Sequence, residues 1–298
     1  MALHLNDRAM LVGLTISMWS AHKHDRAVSQ EVAQQHGNDV RLGRFNKRLV
    51  DGAALKAVQS AAGLLRSCHY TNTLPWSDAG PRILTATNYL TYTQAMREKR
   101  QAFEGAVHDF VGQYRDHIAA AERQLGDLFR ESEYPSLAEI EGRFGIDIQY
   151  LPLPDSNDFR VDLGDIEEAR IRKEIEARVE ETIQAAHRSL WERCHEAVSH
   201  MAERLSAYQK PQDGRASGVF RDTLVTNIRE LVDLLPRLNL TGDPELEAMR
   251  RRIEKELAQE DPATLRENET VRKSVASAAA SILADMAGWC GEMPEAAE

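Results

Sequence analysis

Two stretches of the chain contain no proline and are apolar at every third or fourth residue, from about Thr87 to Glu131 and from about Gly164 to Tyr208. Steps that alternate between three and four place apolar side chains along one side of an α-helix, as in a coiled coil. At 1.5 Å per residue each helix would be about 65 Å long. The apolar positions are Phe103, Val107, Phe110, Tyr114, His117 or Ile118, Ala121, Leu125 and Leu128 in the first stretch, and Ile171, Ile175, Val179, Ile183, Ala186, Leu190, Cys194, Ala197, Met201 and Leu205 in the second.

A helix of that length cannot bury its apolar stripe alone, and the simplest partner is a neighbour of equal length that runs back beside it. We therefore predict a long antiparallel helical hairpin over residues 81–209. The segment that joins the two helices alternates in two short runs separated by the turn-rich LPLPDSND, which predicts a small β-hairpin at the far end. The alternating residues are Ile146, Ile148 and Tyr150 in the first run, and Phe159, Val161 and Leu163 in the second.

The rest of the chain predicts smaller elements on either side of this hairpin. Residues 1–80 hold an alternating strand near Val12 to Met18 and two short helices, Arg26 to His36 and Gly52 to His69. After the polar linker QKPQDGRASG, residues 217–290 predict a bundle of C-terminal helices, one of which opens at Asp243-Pro244 with a cap and a proline in the first turn. The fold class predicted is mainly α with a minor β component.

Composition limits the class of partner and the compartment. The formal net charge of -10 disfavours general electrostatic binding of nucleic acid, because neutralising phosphates requires clustered Lys and Arg. The three cysteines, Cys68, Cys194 and Cys290, are odd in number and far apart, which is typical of free thiols in a reducing compartment. The apolar run from Met10 to Trp19 is too short to cross a bilayer. We expect a cytoplasmic protein with no membrane segment.

The sequence contains no motif that identifies catalytic, cofactor-binding or metal-binding residues. The glycine patterns of phosphate-binding and dinucleotide-binding loops do not occur. His195 and His200 are five residues apart, so they point in different directions on a helix, and Glu192 with His195 forms one Glu-x-x-His where di-iron bundles need two. His22, His24 and Asp25 follow the first strand closely, and we interpret them as a polar strand end, with metal binding as the alternative.

Three further features have two interpretations each. The segment YTNTLPWSDAGP, which contains Trp76, is interpreted as a packed connector, with an exposed recognition loop as the alternative. Two basic clusters are interpreted as solvated helix faces paired with Glu, with nucleic-acid contact as the alternative. The clusters are Arg41, Arg44, Lys47 and Arg48, and Arg250, Arg251, Arg252 and Lys255.

The N-terminal LVGLTISMWSAHKHD, followed by TLPWSDAG and then by long helices, resembles the family catalogued as domain of unknown function 3150. The resemblance implies a bacteriophage or bacterial mobile-element protein, in a host cell's cytoplasm where it is phage-encoded. Relatives in that family are encoded near MoxR-type AAA+ ATPases and von Willebrand A-type proteins. No catalytic residues are defined for the family, so the resemblance assigns none here.

These observations lead to two hypotheses from different classes. The first is a non-enzymatic phage or mobile-element interaction or scaffold protein that forms a homo-oligomer and serves as an adaptor for a partner such as a MoxR-type ATPase. The alternative is a nucleic-acid-binding accessory of phage replication or recombination that uses the two basic clusters and Trp76. A hydrolytic enzyme ranks third, because no pair of carboxylates can be assigned as acid and base from sequence.

Overall fold

The computed structural model describes residues 7–37, 39, 43–77, 80–155, 164–212, 215–217 and 220–290. Over these ranges the chain forms ten α-helices and seven short β-strands, which confirms the prediction of a mainly α fold. The helices are α1 Arg26–His36, α2 Lys56–Thr71, α3 Tyr89–Gly112, α4 Tyr114–Leu125, α5 Leu137–Glu141, α6 Asp165–Ala207, α7 Thr223–Leu238, α8 Pro244–Leu257, α9 Pro262–Glu267 and α10 Glu269–Cys290. The strands are β1 Ala9–Ser17, β2 His22–His24, β3 Asn46–Arg48, β4 Arg82–Thr85, β5 Gly145–Leu151, β6 Gln209–Gln212 and β7 Arg215–Ser217.

The chain divides into two compact units, each assembled from separated segments. Unit one comprises Met1–Val12, Asn72–Leu90 and Tyr150–Glu298. Unit two comprises Gly13–Thr71 and Thr91–Gln149. Long-range packing, and not order along the chain, therefore defines each unit.

The core of unit one is built around the second half of α6. From Thr182 onward α6 buries a residue on almost every turn, and this stripe packs against α10 and α7. The small side chains of α10 allow its backbone to lie close to α6, as its Ala- and Ser-rich sequence suggests. The buried residues of α6 are Thr182, Ala186, Leu190, Trp191, Cys194, Val198, Met201 and Leu205, and those facing them from α10 include Val275, Ala279, Ile282 and Met286.

The predicted pairing of two equal helices therefore needs correction. The helix predicted from Thr87 to Glu131 is two helices, α3 and α4, with a break at Gln113, whose φ of -99° and ψ of 6° lie outside the helical region. Gly112 directly precedes the break, and glycine is a weak helix former. Most of α3 and all of α4 lie in unit two, whereas α6 lies in unit one and is covered by α10 and α7.

The strands form one sheet of three and two sheets of two. The larger sheet has the order β4-β1-β5, and β1 runs antiparallel to β4 in a register that pairs Ala9 with Thr85 and Val12 with Arg82. The predicted strand at Ile146 to Tyr150 is present as β5, but its neighbour is β1. The predicted partner strand at 159–163 lies outside the described residues.

Local signals in the sequence set several helix ends, and the extent of α1 and the start of α8 are as predicted. The carboxylate of Asp25 accepts a hydrogen bond from the amide of Val28 and caps α1, which ends at Gly37 with a φ of 62°. The carboxylate of Asp243 accepts from the amides of Glu245 and Leu246 and caps α8. None of the helices in the described ranges has the length and apolar character that crossing a bilayer requires.

Candidate functional site

The first part of α6, residues 165–181, differs from the rest of the helix because it contains no buried residue. We call this segment the arm. Ile166 is 85% exposed, and the seam residues Ile171, Ile175 and Val179 are only half-buried. The apolar periodicity that the sequence shows along α6 thus continues into a segment that adds nothing to the core of unit one.

A groove of about 890 Å³ lies beside the end of the arm, within unit one. One wall is a single face of α6, since its residues follow one another at alternating steps of three and one positions, the spacing of one side of a helix. This wall runs from Glu174 to Ala185, about 16 Å or three helical turns. The α6 wall consists of Glu174, Ala177, Arg178, Glu181, Thr182 and Ala185, and the opposite wall of Pro75, Trp76, Ser77 and Arg82.

The opposite wall is fixed to unit one by the residues that precede Trp76. Leu74 is fully buried and pairs with Ile83 through two backbone hydrogen bonds of 2.9 Å. The carbonyl oxygen of Thr73 accepts hydrogen bonds from Arg193 of α6 at 2.7 Å and from Arg82 at 3.2 Å. The segment is therefore a packed connector, as the first interpretation predicts, and its half-buried Trp76 also lines the groove.

The electrostatics of the groove are mixed. Glu174 and Glu181 on α6 carry negative charge and Arg178 lies between them, while Arg82 carries positive charge on the opposite wall. Next to the groove, burial and the nearby charge of Arg82 lower the pKa of Arg193 to about 10, so this guanidinium remains charged at neutral pH. A ligand of this groove would meet small side chains, one indole and charges of both signs.

The described members of the first basic cluster, Arg44, Lys47 and Arg48, do not form one patch. The side chain of Lys47 is only 1% exposed, and its Nζ lies 2.7 Å from the Glu133 carboxylate, 3.3 Å from that of Asp25 and 2.7 Å from the carbonyl oxygen of Leu128. Arg44 and Arg48 are exposed and line two different pockets of unit two. Arg41 lies outside the described residues. Lys47 is therefore a structural residue of unit two.

The three arginines of the second basic cluster form ion pairs with nearby carboxylates. Arg250 forms ion pairs with Glu247 and Glu254, and Arg251 with Glu247. Arg252 pairs with Glu256 and with Asp285 of α10, and donates to Ser281. These arginines are paired with carboxylates, as the first interpretation predicts, but only Arg251 is fully exposed.

Among the described residues, the candidate metal ligands and the cysteines do not come together at one site. The ring of His24 lies 3.1 Å from the hydroxyl of Ser29, that of His22 lies 2.6 Å from the carbonyl oxygen of Ser20, and Asp25 caps α1. Glu192 and His195 are both exposed. Within the described ranges no group of three or more His, Cys, Asp or Glu could hold a metal ion. Cys194 is buried in the core and Cys68 is half-buried, while nothing is described of the Cys290 side chain.

One polar contact in unit one was not apparent from the sequence. The Nε2 of His187 on α6 lies 2.7 Å from Oδ2 of Asp243, the cap of α8. Partial burial raises the pKa of Asp243, but hydrogen bonds from His187, Glu245 and Leu246 outweigh it, so the net shift is downward. The cap itself was predictable from Asp243-Pro244, whereas a histidine 56 positions away carries no local signal.

The chain was compared with protein-family models, curated proteins and solved structures, and none of the three comparisons gives a match. The geometry of the arm and the groove is accordingly the basis on which a function is proposed.

Proposed function

We propose that this chain is a non-enzymatic interaction or scaffold protein that docks a protein partner against the arm and the groove of α6. The observation that carries the proposal is the unburied first part of α6, which leads directly into a groove lined by one helical face. A long helix is costly to order unless its apolar side is covered, so an apolar stripe that adds nothing to the core favours a partner.

The shape of the groove favours a helical partner segment. Ala177 and Ala185 keep the wall low, which permits another backbone to approach closely, and Trp76 offers an aromatic anchor of the kind that dominates protein interfaces. A partner helix about three turns long would match the wall from Glu174 to Ala185. Basic side chains of the partner would face Glu174 and Glu181, and an acidic one would face Arg82.

The identity of the partner is proposed from the resemblance stated above. A homo-oligomer and a complex with a MoxR-type AAA+ ATPase of a phage or mobile element are the two assemblies it suggests. The competing proposal, nucleic-acid binding in phage replication or recombination, has less support because Lys47 is buried and Arg250, Arg251 and Arg252 pair with carboxylates.

The first experiment is size-exclusion chromatography with light scattering on the purified protein, alone and mixed with a MoxR-type ATPase. We expect a mass above the 33.5 kDa of one chain, a complex with the ATPase, or both. Ala177→Arg places a long charged side chain in the groove and should abolish the association. Ala169→Arg is the matched control, because Ala169 is also exposed on the arm but does not line the groove.

A strictly monomeric chain that forms no complex with the ATPase would count heavily against the proposal, as would an association that Ala177→Arg leaves intact. The same chromatography with single-stranded and duplex DNA tests the competing proposal. Binding that weakens steeply with salt and is lost on replacing Arg250, Arg251 and Arg252 would support nucleic-acid handling, whereas no binding at low salt would end it.

A further inference from the structure

A second, smaller pocket of about 210 Å³ lies in unit two, between the β2–β3 pair and the start of α2. Its position and chemistry differ from those of the groove, and it is independent of the function proposed above. The polar side chains around it include a guanidinium, an imidazole, an amide and a hydroxyl. The lining residues are Ser20, Ala21, His22, Arg48, Val50, Asp51, Gly52, Leu55 and Gln59.

The β2–β3 ladder brings the two basic groups of this pocket together. His22 and Arg48 are direct partners in the antiparallel register, so their side chains lie on the same face of the two-stranded sheet. The Nδ1–H of His22 donates to the carbonyl oxygen of Ser20 at 2.6 Å, since a carbonyl oxygen only accepts. In the neutral ring Nε2 then carries no hydrogen and can only accept, so His22 supplies no further donor to this pocket.

The guanidinium of Arg48 is held against the backbone at Gly52. A Cβ added at Gly52 would lie 2.7 Å from Nη1 of Arg48, a distance that real Cβ atoms essentially never show. Glycine at this position thus lets the guanidinium rest on the turn that precedes α2. Among the residues that the structure describes, no carboxylate lies within ion-pair distance of Arg48.

Backbone strain coincides with the same pocket. Ala21 has a φ of 53°, and in the described part of the chain it is the one residue other than glycine with a positive φ. The left-handed region is unfavourable for a side chain with a Cβ, and such residues concentrate at ligand-binding sites. The hydrogen bond from the amide of Leu49 to the carbonyl oxygen of Ala21, 2.8 Å long, holds this turn beside β3.

We propose that this pocket binds a small anion, a phosphate or a carboxylate, on the guanidinium of Arg48. The planar fork of a guanidinium donates two parallel hydrogen bonds to either group, and the hydroxyl of Ser20 and the side-chain amide N–H of Gln59, which line the same pocket, are further donors. Asp51, which also lines the pocket, accepts from the amide of Ala53 at 2.8 Å and so is engaged with the start of α2.

Isothermal titration calorimetry with inorganic phosphate and, separately, with malonate tests the proposal on the full chain, with sodium chloride added to hold ionic strength constant. We expect saturable binding of at least one of the two, and the ligand that binds defines the class. Arg48→Gln should weaken it by about tenfold or more, as loss of hydrogen bonds to a charged group does. Arg44→Gln is the matched control, because Arg44 is exposed in the same segment and lines a different pocket.

Gly52→Ala gives a second variant that alters no charge. The added Cβ would displace the far end of the flexible Arg48 side chain, so affinity should fall while the thermal melting curve stays close to that of the parent. Gly63→Ala is its control, since a Cβ there meets no atom within 4 Å. Absence of saturable binding for both phosphate and malonate, or equal losses in Arg48→Gln and Arg44→Gln, would overturn the proposal.

Discussion

Replacing Lys47 with methionine should destabilise unit two, because it removes a buried positive charge that two carboxylates share. Lys47 is 1% exposed, and its ammonium group lies within 3.3 Å of two carboxylates and one backbone carbonyl. Methionine fills a similar volume but donates nothing, so Asp25 and Glu133 would remain close together without a counter-charge. Removing one partner from a buried ionic group costs about 3–5 kcal/mol, a large part of the stability of a domain.

Urea denaturation followed by circular dichroism measures the change. With a typical dependence on denaturant, the midpoint for unit two should fall by roughly 2 M. Hydrogen exchange should speed up in α1, which Asp25 caps, and around Leu128 to Glu133, because Lys47 links these two segments. Adding Glu133→Gln to Lys47→Met should recover part of the loss, since it removes an uncompensated charge.

Lys23→Met is the matched control. Lys23 is the direct partner of Lys47 in the β2–β3 ladder but is exposed, so its replacement should change the free energy of unfolding by about 0.5 kcal/mol or less. If Lys47→Met proved no more destabilising than Lys23→Met, the argument that buried ion pairing stabilises unit two would be refuted.

Two further predictions concern unit one. Because the pKa of Asp243 lies below its ordinary value of 3.8, its contribution to stability is present above that value and is lost as the pH falls through the lower, folded pKa. Asp243→Asn should therefore weaken the dependence of the unfolding free energy on pH between about 5 and 2, where carboxylates titrate. Asp233→Asn changes an exposed carboxylate and should leave that dependence unchanged. Identical pH profiles for the two variants would contradict this prediction. Arg272→Met should cost about 2–3 kcal/mol, because Arg272 is 6% exposed, stacks on Tyr208 and donates to the carbonyl oxygen of Leu265. Lys273→Met, whose side chain is 75% exposed, should be near neutral in the same thermal melts, and equal effects would show that the stacking contributes little.

Part of the candidate site could be predicted from the sequence. The length of α6, its seam and the presence of Trp76 in a packed connector are all local or periodic properties, and the structure agrees with them. The groove itself could not be predicted, because it depends on which loop lies beside α6. Likewise, the two basic clusters look alike in sequence, yet Lys47 is buried while Arg250 to Arg252 form ion pairs along α8 and with α10.

The sequence by itself determined the mainly α class, the extent of α1 and the cap at Asp243, because periodicity, glycine and capping residues act within a few positions of one another. Tertiary structure alone decided which apolar stripes meet. α6 carries a stripe that several helices could cover, and the choice of α10 and α7 follows from side-chain fit between segments far apart in the chain. In the same way β5 joins β1, more than a hundred positions earlier, since strand pairing depends on contacts that a local pattern does not encode.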